Sequence, residues 1–223
     1  MTRIGVVTMG QTPRDDGLTS EIAEVLGERF ALVETGVLDG LNPSQIETMA
    51  PGAEDYLLVT RLRDGSWVRV AKRFMLPLMQ QRIDEMSGSD VEIILLLCTG
   101  AFPPFHSKKP LVIPQPILYN LVKGIAQGER VGVMTPLPEQ VEQTRSKWAE
   151  IGVNAVVAHA TPYGDLDAIN RAAAELVSRQ VNLVVMDCFG YSLAMKEAAR
   201  RSAGKPVVLA RSIVARVVGE LAA

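Results

Sequence analysis

Cysteine is nearly absent from this chain of 223 residues: there are two, Cys98 and Cys188, 90 positions apart. Two such distant thiols cannot form a compact metal motif by themselves, and in a reducing compartment they are expected to be free. An excess of charge of either sign is missing too. With 23 basic against 25 acidic residues and a net charge of −2, neither a basic nucleic-acid surface nor an acidic tail is indicated. The apolar runs Ile93–Leu97 and Val184–Met186 are far shorter than the ~20 residues of a membrane helix. The chain enters a strand-like pattern at Ile4 without a charged leader or a long apolar segment before it. A cytoplasmic protein with no nucleic-acid and no membrane partner is expected. Phosphate-loop and dinucleotide fingerprints are also lacking, because Gly10-Gln11-Thr12-Pro13-Arg14 has neither the further glycines nor the lysine they need. No cofactor and no metal are expected.

What is present is an alternation of short β-branched runs with longer segments of helical periodicity, which predicts mostly parallel sheets flanked by helices, an α/β fold. Strands are predicted near 4–8, 32–34, 91–97, 111–113, 131–134, 155–158, 183–187 and 207–209. Helices are predicted over 16–27, 70–87, 115–127, 138–151, 165–178, 192–203 and 212–221. The segments 56–62 and 67–70 flank Asp64-Gly65, a hairpin turn signal, and predict an inserted antiparallel β-hairpin. Five prolines in the stretch 101–116 predict that it is mostly loop, with little room for a helix.

Self-similarity organises the rest. Arg3-Ile4-Gly5-Val6-Val7-Thr8 recurs 127 residues later as Arg130-Val131-Gly132-Val133-Met134-Thr135, and residues 91–100 align without gaps to 181–190, 90 residues later. The offsets differ by 37 residues, about the size of the segment holding the hairpin. Two pseudo-symmetric lobes are therefore expected, 1–114 with an insert near 36–72, and 115–223, with a C-terminal helix able to pack back on the first lobe. Ligands of open α/β sheets bind beyond the carboxyl ends of the strands. Cys98 and Cys188 both sit at such ends, so a pseudo-twofold axis through the cleft would set the two thiols across a bound molecule.

A thiolate and a thiol on opposite sides of one carbon supply the base and the acid that move a proton from one face to the other. The cysteine pKa must fall for this, and the helix that follows Cys188-Phe189-Gly190-Tyr191-Ser192 is expected to help. Asp187 opposes it unless its carboxylate points to the other face of the strand.

Three motifs carry a family resemblance: Gly10-Gln11-Thr12-Pro13-Arg14-Asp15 after the first strand, Cys98-Thr99-Gly100, and Asp187-Cys188-Phe189-Gly190. The chain resembles the aspartate/glutamate racemase superfamily and, within it, the AroM family over essentially its whole length. The resemblance implies a racemase-like fold and racemisation, epimerisation or isomerisation of a small carboxylate by two cysteines, with loop hydroxyls and backbone amides holding the carboxylate. Gln11 and Arg14, Cys98-Thr99-Gly100, and Phe189 stand where amino-acid racemases of the superfamily have other residues, so the resemblance does not carry over the amino-group contacts of an amino-acid racemase.

The site expected from these readings has Cys98 and Cys188 as acid and base, and Thr8, Gln11, Arg14, Thr99, Gly100, Thr135, Phe189 and Gly190 as substrate contacts. Arg14 suits bidentate binding of a carboxylate, and pairing with Asp15 or Asp16 at the helix start is an equal alternative. Thr12 suits a helix cap. Thr8 and Thr135 are equivalent by the repeat, and Gly100 and Gly190 let backbone amides approach an anion. His106 and His159 lack companion spacing. Trp67 and Phe74 are most simply packing residues, with cover of the cleft or of a partner subunit as alternatives, and the insert is the first place for a homodimer contact. The rival functions are a small-carboxylate-binding or sensor protein without turnover and a one-cysteine decarboxylase.

Overall fold

The computed structural model describes residues 1–222. They cluster into two compact units, one formed by Met1–Pro114 with the C-terminal segment from Ala215 on, the other by Gln115–Val214.

The first unit runs β1 (Thr2–Thr8), α1 (Leu18–Leu26), β2 (Phe30–Gly36), α2 (Pro43–Glu47), β3 (Leu57–Arg61), β4 (Trp67–Ala71), α3 (Lys72–Ser87), β5 (Ile93–Leu97) and β6 (Leu111–Val112). Its parallel sheet has the order β2-β1-β5-β6. Every residue of β5 is buried, as a strand covered on both faces requires, and an unbroken Ile-Ile-Leu-Leu-Leu run supplies that without alternation.

The second unit runs α4 (Pro114–Ala126), β7 (Val131–Thr135), a 3-10 turn at Pro138–Gln140, α5 (Val141–Ala149), β8 (Ala155–His159), α6 (Leu166–Ser178), β9 (Leu183–Met186), α7 (Leu193–Ala203), β10 (Val207–Leu209) and, as far as Val214, α8 (Ala210–Leu221). Its sheet order is β10-β9-β7-β8. Read from β8, this is the strand order of the first unit, with β7, β8, β9 and β10 in the places of β1, β2, β5 and β6.

The repeat extends to single hydrogen bonds. Glu92 N–H donates to Arg3 O at 2.8 Å and Asn182 N–H to Arg130 O at 3.1 Å. Ile94 N–H donates to Pro110 O at 2.9 Å and Val184 N–H to Pro206 O at 3.0 Å. Packing repeats as well: a Cβ on Gly5 would meet Met86 and Val91, and one on Gly132 would meet Leu176 and Val181, the residues 90 positions on. Both glycines admit the same close approach of helix to strand.

The insert is an antiparallel hairpin, β3 on β4 with Leu57 opposite Ala71, turning at Asp64-Gly65, where Gly65 has a φ of +87°. It displaces the start of the helix expected from Val70: β4 continues through Ala71 and α3 begins at Lys72. Sequence reasoning missed α2, which opens on a capping box between Asn42 and Gln45 with Pro43 in the first turn. The proline-rich segment is mostly loop, and β6 and the start of α4 fall at its end, where a strand and a helix were expected. Helix α1 starts at Leu18 after Gly17, so the first loop runs longer than expected. Among the described residues, no helix is long and apolar enough to cross a membrane.

Candidate active site

Each cysteine closes the buried end of a central strand. Cys98 directly follows β5, and its Sγ accepts the Gly100 N–H at 3.4 Å. In the second unit, Cys188 follows β9 after Asp187, and its Sγ accepts the Gly190 N–H at 3.3 Å. Neither cysteine is in a disulfide, and both are half-buried. The glycines are required by space: a Cβ would fall 2.7 Å from the Phe102 ring at Gly100, and 2.8 Å from Pro162 Cγ at Gly190.

In the first unit the insert braces this turn. Ala101 N–H donates to the Tyr56 hydroxyl at 3.2 Å, and Lys72 Nζ donates to Ala101 O at 3.0 Å while lying 4.3 Å from the Tyr56 ring centre. Cys98 packs on the cluster of Val7, Met9, Leu58 and Leu96. Thr8 faces elsewhere: with Val6, Thr12, Arg14, Asp16 and Leu97 it lines a small cavity that does not include Cys98. Thr99 and Gly100 are buried within the turn.

The polar residues of the first loop bind their own chain. Gln11 Nε2 donates to Leu38 O at 3.3 Å and to Leu41 O at 3.1 Å, and its Oε1 accepts from Arg63 N–H at 3.3 Å. Thr12 does not cap α1; its N–H and hydroxyl both donate to Asp39, at 2.8 and 2.6 Å. The Arg14 guanidinium donates to Arg61 O at 3.3 Å and pairs with Asp16 at 3.3 Å. Gln11 and Arg14 thus tie the loop to the hairpin and to the segment after β2.

Around Cys188 the second unit places two cations that sequence reasoning missed, Lys147 and Arg211, beside the Asp187 that it singles out. The Asp187 carboxylate lies on the face opposite the sulfur, with no exposed side-chain surface, 2.8 Å from Lys147 Nζ, and it accepts the Trp148 indole N–H at 2.8 Å. Both partners come from α5, where a lysine next to a tryptophan reads as an ordinary surface position beside a core one. Arg211, in the first turn of α8, is buried and donates to Phe189 O at 3.0 and 2.6 Å and to Gly190 O at 3.3 Å. Phe189 is itself buried. Thr135, at the end of β7, accepts the Thr144 hydroxyl at 3.1 Å, and Tyr191 donates to Ala160 O at 2.7 Å.

The balance of these effects reverses the expectation of a lowered thiol pKa. Burial pushes the Cys188 thiol up to about 11 and the Asp187 carboxylate adds to it, against the Gly190 N–H, Arg211 and Lys147. Helix α7 begins only at Leu193, so its N-terminus does not reverse the effect of burial. At neutral pH Cys188 holds its proton.

His106 and His159 are exposed. Among the described residues no group of three His, Cys, Asp or Glu could hold a metal ion.

The fold is that of the racemase and isomerase class. Maleate isomerase Iso from Pseudomonas putida S16 superposes with a TM-score of 0.66 at 14% identity over 99% of this chain and 92% of that one. Allantoin racemase from Klebsiella pneumoniae gives 0.61 at 13% over 99% and 87%, and aspartate racemase from Picrophilus torridus gives 0.59 at 12% over 100% and 94%. Arylmalonate decarboxylase shares the same fold. Among curated proteins no sequence matches this chain. Residues 4–222 match the AroM protein family, and the chain belongs to that family.

Proposed function

We propose that this protein is a cofactor-independent racemase, epimerase or isomerase of a small carboxylate, with Cys98 and Cys188 exchanging a proton with one substrate carbon. The observation that carries the reading is the repeated turn. In each unit a half-buried thiol ends a central strand and accepts the amide N–H of a glycine two residues on, at 3.4 Å in one and 3.3 Å in the other. A core filler has no need of the same turn twice, whereas an acid/base pair needs two. The fold shared with an isomerase and two racemases supports the same class.

The raised pKa of Cys188 makes it the acid. Cys98, as thiolate, takes the proton next to the carboxylate; the C–H bond breaks and its electron pair passes into an enediolate. Cys188 then delivers its proton to the opposite face and is left as thiolate, and solvent resets the pair. The amides of the two turns and the hydroxyls of Thr99 and Thr135 are the proposed holders of the carboxylate, together with the Phe189-Gly190 backbone; Thr8, which lines the cavity away from Cys98, is not among them. Gln11 and Arg14 join them on giving up bonds to their own chain.

The firmly protonated Cys188 also favours a second reading, a one-cysteine decarboxylase. There the C–C bond to a departing carbon dioxide breaks, its electron pair forms the enediolate, and Cys188 protonates it. The fold shared with arylmalonate decarboxylase is compatible with it.

Proton NMR in heavy water over a panel of amino, hydroxy and dicarboxylic acids tests these readings. A racemase replaces the α-proton of one acid with deuterium and retains its carbon skeleton, whereas a decarboxylase releases carbon dioxide and leaves one deuterium behind. Acids that raise the melting temperature without either change would make the protein a carboxylate binder and overturn the proposal.

A further inference from the structure

The two strand ends differ in charge at one position. Leu97 precedes Cys98 and Asp187 precedes Cys188, in a repeat that otherwise preserves strand order and turn. The first unit buries its leucine. The second buries a carboxylate and must hold it with Lys147, whose side chain is 9% exposed, and with the wholly buried Trp148. Stability does not account for this. A buried ion pair roughly breaks even against apolar residues of the same volume, and the first unit demonstrates that an apolar residue completes this strand end.

We propose that the Lys147–Asp187 ion pair is a charge control on Cys188, which distinguishes the acid from the base of the reaction by setting the proton affinity of one thiol and not of the other. The inference rests on the proposed acid/base role of Cys188. The carboxylate belongs to the residue bonded to Cys188 and lies behind the strand end, where intervening water cannot screen it, so its negative charge opposes loss of the thiol proton. Lys147 limits the opposition, because its positive charge lies 2.8 Å from the carboxylate and favours the thiolate. The other charged and titratable groups acting near the sulfur are Arg211, which favours the thiolate, and Tyr191, whose buried hydroxyl keeps its proton and has Tyr163 beside it. Lys147 and Asp187 are positioning residues and touch no substrate.

The test measures the rate at which iodoacetamide modifies Cys188 across pH, by mass spectrometry, in the full chain carrying Cys98→Ser and no substrate. Asp187→Asn moves the profile to lower pH. Because nucleophilicity falls along with pKa, the rate at pH 8 rises about threefold for each unit lost. A second variant, Asp187→Leu with Lys147→Met, rebuilds the apolar strand end of the first unit; it is expected to melt cooperatively and to shift the profile in the same direction, which carries the test if Asp187→Asn does not fold. Profiles that superimpose on that of the parent overturn the inference. Since substrate is absent, a shifted profile in a protein that turns nothing over would leave the charge control standing and remove the proposed reaction.

Discussion

The indole N–H of Trp148 donates to Asp187 Oδ2 at 2.8 Å from the side of the strand end that Cys188 does not occupy. Cys188 instead packs with Met134, Val184, Met186 and Tyr191, so two consecutive residues serve two faces: one holds a buried charge and the other the thiol beside it. Trp148→Phe keeps one aromatic ring, removes the donor and leaves part of the buried indole volume empty. The expected loss is at least about 1.5–3 kcal/mol of stability, the range for a hydrogen bond to a charged group alone, seen as a lower midpoint in urea with an unchanged slope.

The raised Cys188 pKa has a consequence for stability. A thiol near 9.0 in the unfolded chain and about 11 in the folded one stabilises the fold fully below pH 9, and the contribution disappears as pH rises through 11. At ~1.4 kcal/mol per unit, about 2–3 kcal/mol is at stake. Urea unfolding from pH 8 to pH 11 should show a decline in the wild type that is smaller in Cys188→Ala.

Gly10 lies against the inserted hairpin, and a Cβ there would stand 1.9 Å from Arg61 O. Backbone cannot yield as a side chain can, so Gly10→Ala is expected to cost about 2–3 kcal/mol. Gly124, in α4, has nothing within 4 Å of the same atom, and Gly124→Ala should gain about 0.5–1 kcal/mol from helix propensity. Thermal melting of the two variants should move in opposite directions.

Tyr56 holds the amide after the Cys98 turn. Tyr56→Phe removes that acceptor at a cost of about 1 kcal/mol, and native-state hydrogen exchange should show faster exchange at Ala101 than at amides of β5. Uniform exchange across both would mean that the hydroxyl does not brace the turn.

Much of the architecture could be read from local patterns. The repeat at Arg3–Thr8 and Arg130–Thr135, the apolar runs of β5 and β9, and the Asp64-Gly65 turn are signals carried by adjacent residues, and the strands and hairpin formed where they predicted. The boundary of α3 was misread because Val70 and Ala71 satisfy a helical period as well as a strand, and pairing with Leu57 and Leu58 decided for the strand. The capping box at Asn42 was legible and overlooked. What could not be read is the partnership of Lys147 with Asp187, 40 residues apart in sequence, and of Arg211 with Phe189 and Gly190: each depends on which helix face meets which strand end. The Arg14 signal was ambiguous for the same reason, since its guanidinium binds Arg61 and Asp16 in place of a visible anion cradle.

Two-thiol proton transfer is tested most directly by following α-deuterium incorporation into both enantiomers or isomers of the exchanging acid with wild type, Cys98→Ala and Cys188→Ala. The account predicts exchange of both forms with wild type, loss of interconversion in each variant, and, in Cys188→Ala, survival of exchange at the single face that Cys98 serves. Interconversion that continues at the wild-type rate in either folded variant would contradict it.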